Sequence, residues 1–509
     1  MDEVTSKLAK ISSLLVKART SVEKYRDHKN SIEEIARELD ANYIVESSFL
    51  LHGNQVRLTV QLINGLDGNH VFSKEYDRDW SNIFEVQSEV AQTIAREINA
   101  VINPEEKQRI EKILTGNLTA YDLYLQAEED LKTYWRSRNK DEALLDKAHA
   151  LYLQALEYDH SFAKAYLGLA SILWGKNPNM SDDKKLDSTL ILIEKALSYD
   201  DQLEEAYMML AGVEFGNENI DKGLSYIDQA LEINPNYAEG YRSKGEIYYR
   251  YKKDMVNAII NYHKAVQLQK DAYWKPLNLR RLAQAYFDNG FFDRAIFYFG
   301  EKLKLDGDSI WYLYYPAYKE FFKKNWSVAK ALYSQLYARD SSRLYNLVDY
   351  MAINIYLGQN KEALQNAQVL DSAVVHLGYP ANNYAHRIAN AFWINGEKEK
   401  AKTYFEKQIE NCNEGIRNNT PYAKEKWAYY DLAGVYAFLG DKEKAYENLD
   451  EYNTKNFENA QIVMYMGWDP LFDSIREEER FQRIYHDIKA KYQREHDKLE
   501  AWMEKEGMM

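Results

Sequence analysis

Residues 279–299, LRRLAQAYFDNGFFDRAIFYF, hold the pattern from which the rest of the chain is read. Leu279, Leu282, Ala283 and Tyr286 share one face of a helix. Gly290 closes that helix, and Ala295 and Phe299 lie on the facing side of a second one. The small residues let the two helices approach, and the large ones fill the gap to the next pair. Ile388, Ala389, Phe392, Gly396, Ala401 and Phe405 repeat the pattern, as do Leu432, Ala433, Tyr436, Gly440, Ala445 and Leu449. A small residue closes earlier second helices at Ala155, Ala196, Ala230 and Ala265, with a spacing that scatters around ~34 residues. Asn234 and Pro235 end one such unit.

This pattern resembles the tetratricopeptide repeat, with about nine repeats between 118 and 455 inside a helical solenoid spanning 104–455. The resemblance implies a concave groove lined by the first helix of each repeat, and a protein or peptide partner held in it. Counting from the matched positions places Arg242, Glu246 and Tyr249 on that face, then Arg280, Gln284 and Phe287, then Trp311, Tyr314, Tyr318 and Phe321. Asn383, His386, Asn390 and Trp393 follow, then Trp427 and Tyr430. Flat rings with a polar rim suit an extended peptide first and an oligosaccharide second, because they offer area at little entropic cost. The same rings also fill packing positions of repeats, and plain core is the competing reading of the 42 tyrosines.

Residues 1–103 have a different texture. Asp2–Ile11 reads as a helix and Ser12–Thr20 as a strand. Ser31 and Glu34 form a capping box for a helix carrying Ile32, Ile35 and Leu39. Tyr43–Leu51 is β-rich, and His52–Gln55 is a turn. Val56, Leu58, Val60 and Leu62 alternate with Arg57, Thr59 and Gln61, the signature of a strand with one dry face. After a turn at 64–69, His70–Tyr76 pairs back. A closing helix carries Ile83, Val86, Val90, Ile94, Ile98 and Val101, and Asn103–Pro104 starts another.

The segments Ala18–Ser21, Ile35–Leu39, Tyr43–Glu46, Val56–Leu58, Gln61–Ile63 and Tyr76–Asp79 with Ile83, Phe84 and Gln87 resemble the TolB-like domain that precedes tetratricopeptide repeats in bacterial transmembrane transcriptional regulators and in sensor regions associated with class III adenylate cyclases. Ser47–Ser48 stands where that family has Gly-Ser. The family's first strand has no counterpart before Asp2, so the domain is expected to be incomplete at its N-terminus and the chain a fragment of a longer regulator. The fold class expected is therefore α+β: a small α/β domain followed by an all-α solenoid. The resemblance implies an output module and a membrane tether upstream, with this segment on the periplasmic side; a standalone scaffold for an envelope complex, cytoplasmic if untethered, is the alternative.

The 456–509 tail contains Trp468, Leu471 and Phe472, expected to plug the open end of the stack, and a charged helix from Glu477 to about Met503. The remaining chemistry is sparse. The net charge of -14 disfavours direct nucleic-acid binding by this segment. The one cysteine, Cys412, excludes a disulfide framework and a cysteine zinc cage. There is no phosphate loop, dinucleotide fingerprint or nucleophile elbow, and His376 and His386 lack the spacing of a helical metal pair. No catalytic residue, cofactor or metal is expected, and no apolar run is long enough to span a membrane.

Overall fold

The computed structural model describes residues 2–17, 21–22, 25, 30–53, 55–137, 139–176, 183–269, 273–341, 344–377, 384–455 and 459–508. It divides into two compact units, residues 1–252 with 260–278 and residues 253–259 with 279–509.

Unit one begins with a three-stranded antiparallel sheet in the order β1 (Tyr43–His52), β2 (Gln55–Asn64), β3 (His70–Asp79). The alternation in β2 sets its faces: Val56, Leu58, Val60 and Leu62 are buried, and Arg57 opposite them pairs with Glu75 and Asp77 in solvent. Helix Ile83–Glu97 covers the dry face, and helix Asp2–Ala9 packs against that helix. Helix Ile32–Leu39 starts with the expected capping box, the Ser31 hydroxyl accepting from the Glu34 amide and the Glu34 carboxylate from the Ser31 amide. Asn103 and Glu106 form a second box at the start of Pro104–Glu111.

Two expectations fail here. Residues 12–17 form turns and irregular chain, not a strand, and 18–20 lie outside the described residues. Their backbone is satisfied by distant side chains: Ser12 N–H donates to Glu106 Oε1 at 2.8 Å and Val16 N–H to Asn236 Oδ1 at 3.0 Å. The closing helix stops at Glu97 because Asn99 takes a left-handed conformation (φ 55°), which leaves Val101 exposed.

The sheet's core is continuous with that of the first helices of the solenoid, running from Val4 through Val60, Ile94 and Tyr124 to Ile172. Lys7 is buried there, its ammonium donating to the carbonyls of Ile110 (2.7 Å) and Lys112 (2.6 Å). Burial pushes its pKa down to about 8 against the opposing pull of Glu3.

Nine consecutive helix pairs follow among the described residues. Pairs one to three are Leu118–Arg136 with Glu142–Tyr158, Ala163–Gly175 with Asp183–Tyr199, and Glu204–Gly216 with Ile220–Ile233. Pairs four to six are Ala238–Ile247 with Met255–Leu268, Trp274–Asp288 with Phe292–Asp306, and Ser309–Phe322 with Trp326–Arg339. Pairs seven to nine are Leu344–Tyr356 with Asn360–Leu377, Ala385–Ile394 with Lys398–Arg417, and Trp427–Leu439 with Lys442–Tyr452. Ala155, Ala196, Ala230, Ala265, Ala295, Ala401 and Ala445 have no exposed surface, so these seven second helices turn their small residue into the packing.

Unit two ends with helix Ala460–Met466, a 3-10 turn at Pro470–Phe472 and the long helix Glu479–Lys505. Far along that last helix, His496 stacks on Phe291 at 4.6 Å and its Nδ1 lies 2.6 Å from the Asn289 carbonyl of pair five. Gly290 between them has φ 84° and no room for a Cβ beside the Tyr492 hydroxyl, so both conformation and space require glycine.

Candidate ligand groove

In unit one, Glu246 accepts a hydrogen bond from Tyr262 at 2.9 Å and pairs with Arg250, while Tyr249 is half-buried in the π-helical turn Tyr248–Lys252. Arg242 pairs with Glu239 at 3.1 Å and sits 6.0 Å over the Trp274 ring. Of these, Arg242 lines an open cleft.

Unit two is different, because the groove face is already filled by the chain's own tail. Asn459 caps helix Ala460–Met466, and Gln461 donates to the Tyr318 hydroxyl of pair six. Tyr465 packs 5.7 Å from Phe321, and Trp468 lies 5.1 Å from Phe321, 5.1 Å from Trp326 and 4.9 Å from Tyr356 of pair seven. Asp469, fully buried, holds Arg387 of pair eight at 2.8 Å. Leu471 seats against Gly434 of pair nine, and Phe472 against Tyr430 at 5.5 Å. Residues 461–472 thus touch the first helices of four consecutive pairs, in order. Trp468 lies against pairs six and seven and not at the end of the stack, whereas Leu471 packs on pair nine and Phe472 joins the core of that last pair with Ala445, Leu449, Tyr452 and Phe481.

The predicted groove residues sort accordingly. Phe287 is core, between Tyr315 (4.6 Å) and Phe292 (4.9 Å). Gln284 bonds Asp288 at 2.8 Å and accepts from Tyr315, and Arg280 is half-buried. Trp311 and Tyr314 are half-buried, with Tyr314 stacked on buried Tyr318 at 5.2 Å. His386, Asn390 and Tyr430 are buried, so they line no open groove. Trp393 and Trp427 are half-buried, under Lys398 (5.2 Å) and Lys455 (5.3 Å). Asn383 lies outside the described residues. The face was read from repeat position; its occupant could not be, since Gln461 stands 143 residues from Tyr318.

Arg387, Asp469 and Tyr465 were missed by sequence reasoning. Desolvation opposes the charge of Arg387, yet the Asp469 carboxylate beside it leaves its pKa well above the ordinary value. Next to it the fold gathers Cys412, His386 and Asp431. His386 Nδ1 lies 3.7 Å from Asp431 Oδ2, and Gln408 Nε2 stands 3.2 Å from both Asp431 and the Cys412 sulfur. All are buried. Desolvation lowers the His386 pKa, raises that of Asp431, and pushes the Cys412 thiol up to about 12. A protonated, buried thiol is no nucleophile at neutral pH, so the cluster is a structural polar network. Among the described residues no group of three or more His, Cys, Asp or Glu could hold a metal ion. No described helix is long and apolar enough to cross a membrane.

The tetratricopeptide repeat family model matches residues 204–237 and 383–414, within pairs three and eight, and the chain carries tetratricopeptide repeats. It is 29% identical over 171 residues to "Putative adenylate cyclase 3" of Rhizobium meliloti (strain 1021); the match spans 34% of this chain and 28% of that protein. Among solved structures, the Pyrococcus horikoshii signal transduction ATPase with numerous domains, which has a tetratricopeptide repeat sensor, is similar over 67% of this chain and 54% of its own (15% identity, TM-score 0.46). Pseudomonas aeruginosa pilF is similar over 43% and 94% (16% identity, TM-score 0.34). The tetratricopeptide protein YrrB, described as having an unusual peptide-binding site, is similar over 38% and 95% (17% identity, TM-score 0.32).

Proposed function

We propose that this chain is the non-enzymatic protein-interaction and sensory region of a bacterial regulator, a TolB-like α/β part followed by a tetratricopeptide solenoid whose inner face holds polypeptide. The observation that carries the reading is the seat of residues 461–472: an aromatic and acidic segment held across four helix pairs by ring contacts and one buried Arg–Asp pair. A surface that grips such a segment of its own chain has the chemistry to grip a similar one from a partner. The resemblance to a protein named as an adenylate cyclase supports placing the chain beside a signalling output. The rings here are engaged by polypeptide, and no arrangement favours an oligosaccharide.

The test weakens the tail without touching its seat. A Trp468→Ala, Phe472→Ala double variant is titrated with a fluorescent peptide of residues 459–473 and read by anisotropy. The variant should bind the peptide saturably, and the wild type, with its seat filled, at least tenfold more weakly. No binding to the variant, with its helix content retained, would defeat the reading.

A further inference from the structure

The sheet of unit one has two outer edges, and they differ. The β3 edge carries Lys74, Asp77, Arg78 and Asp79, charges that discourage another strand from pairing with it. The β1 edge carries one acid, Glu46, and no Lys, Arg or Pro over its 10 residues. Among the described residues no strand pairs with that edge.

Its side chains are bare as well. Phe49 is 52% exposed and Leu50 61%, although both stand within the strand and not in a turn. The register sets Val45, Ser47 and Phe49 opposite Leu62, Val60 and Leu58, on the dry face. Helix Ile83–Glu97 packs on β2 and β3, and Ser47 and Phe49 are left exposed beside it, Phe49 meeting the edge of Trp80 at 6.0 Å. The backbone points the same way. His52 pairs with Gln55 across a two-residue turn, so these two exchange both hydrogen bonds. Counting back, the peptide groups of Leu50, Ser48, Glu46 and Ile44 turn to β2. Those of Phe49, Ser47, Val45 and Tyr43 therefore point away from the sheet.

The polarity of the strand names the occupant. Tyr43–Val45 are apolar, Glu46–Ser48 polar and Phe49–Leu51 apolar, a palindrome centred on Ser47. An antiparallel copy laid beside it with Ser47 facing Ser47 sets Phe49 on Val45, Leu50 on Ile44 and Glu46 on Ser48. Apolar meets apolar, polar meets polar, and the residues with outward peptide groups face one another, as hydrogen-bonded pairs require. Sliding the copy by two residues one way brings Glu46 opposite Glu46, and the other way sets Glu46 on Leu50. A slide of one residue turns its dry face to the wet side.

We propose that β1 is a dimerisation strand: two copies of this chain join their β1 edges about a two-fold axis at Ser47, and the two three-stranded sheets become one. The pairing consumes both bare edges and leaves the two charged β3 edges outside, so growth stops at two. It uses neither the inner face of unit two nor the tail, so it stands or falls separately from the peptide reading above.

The experiment is sedimentation velocity of the full chain over a concentration series. The wild type should pass from monomer to dimer with a Kd below about 100 μM. Ser47→Lys, which brings two ammonium groups together on the axis from an exposed position, should weaken the dimer at least tenfold with the melting temperature unchanged. Phe49→Thr keeps a strand-forming residue, should weaken it likewise, and serves should Ser47→Lys fail to fold. Register is read by mixing chains carrying Glu46→Cys with chains carrying Ser48→Cys under a mild oxidant. These positions face each other as a non-hydrogen-bonded pair with Cα atoms about 4.5 Å apart, within reach of a disulfide. The native Cys412 is buried and takes no part. The mixture should give more cross-linked dimer than either chain alone. A chain that stays monomeric, a dimer indifferent to both surface variants, or cross-linking no greater in the mixture would overturn the assignment. In a monomer, slow hydrogen exchange at Val45 and Ser47 would show the edge covered by other residues of the same chain, and fast exchange would show it bare.

Discussion

Replacing Asp469 with alanine attacks a buried ion pair that ties the tail to the inner face of unit two. Its carboxylate has no exposed surface and contacts Arg387, which is itself mostly buried, at 2.8 Å. Asp469 Oδ1 also accepts from the Leu471 amide at 3.1 Å, capping the turn that aims Leu471 and Phe472 inward. Removing one partner of a buried pair strands the other charge, at about 3–5 kcal/mol; the lost cap adds about 1 kcal/mol, less than additively because both losses act on one residue. Asp469→Ala should therefore destabilise unit two by about 4 kcal/mol. With an m-value of about 2–3 kcal/mol/M, its urea midpoint falls by more than about 1 M. The transition to follow is the one that exposes Trp468, because separate parts of a repeat array need not unfold together. Asp469→Asn keeps the cap acceptor and should lie between. The double variant Asp469→Leu, Arg387→Met removes both charges and should recover most of the loss, since apolar replacement of a buried pair is often near neutral. A midpoint shift below about 0.3 M for Asp469→Ala, or a double variant no better than the single, would refute the idea that the pair anchors the tail.

Other consequences can be checked more simply. Ala295 is fully buried between the helices of pair five, so Ala295→Leu should overpack the contact by about 1–3 kcal/mol in chemical denaturation. Asp349 is desolvated, which pushes its pKa up to about 6 despite the Tyr333 hydroxyl at 3.2 Å and the opposing pulls of Arg387 and Tyr314. A carboxyl raised above its unfolded value stabilises only while protonated, so the wild type should lose stability relative to Asp349→Asn between about pH 4 and pH 6, measured as the difference in denaturation midpoints. Cys412, buried and with its thiol pushed up to about 12, should resist a thiol-reactive dye at neutral pH in the native chain and react at once in denaturant.

The parts of the fold legible in the sequence are those fixed by local chemistry. The alternation from Val56 to Leu62, the capping box at Ser31, the helix start at Asn103–Pro104, and the small residues from Ala155 to Ala445 each act within a few residues or within one helix pair. Ser12–Thr20 misleads because Leu14 and Val16 look like strand residues, whereas the amides of Ser12 and Val16 are held by Glu106 and Asn236, far along the chain. Counting repeat positions names residues on the inner face of unit two, but nothing at Tyr318 or Tyr430 announces that Gln461 and Phe472 will cover them. The Cys412, His386 and Asp431 cluster is invisible for the same reason: three pieces of helix bring it together, and no spacing in the sequence records it.

A seat filled by a segment made after it sets an order of events at the ribosome. Pairs six to nine emerge with Tyr318, Phe321, Tyr356 and Tyr430 facing a groove that has no occupant until residues 461–472 leave the exit tunnel. At about 5–20 residues per second, that interval lasts seconds, long enough for a row of uncovered rings to find each other on neighbouring nascent chains. The newborn solenoid is therefore stickier than the finished one, and any stall or premature stop between pair nine and Asp469 releases a species in which most of the repeat array is made and its aromatic face is bare.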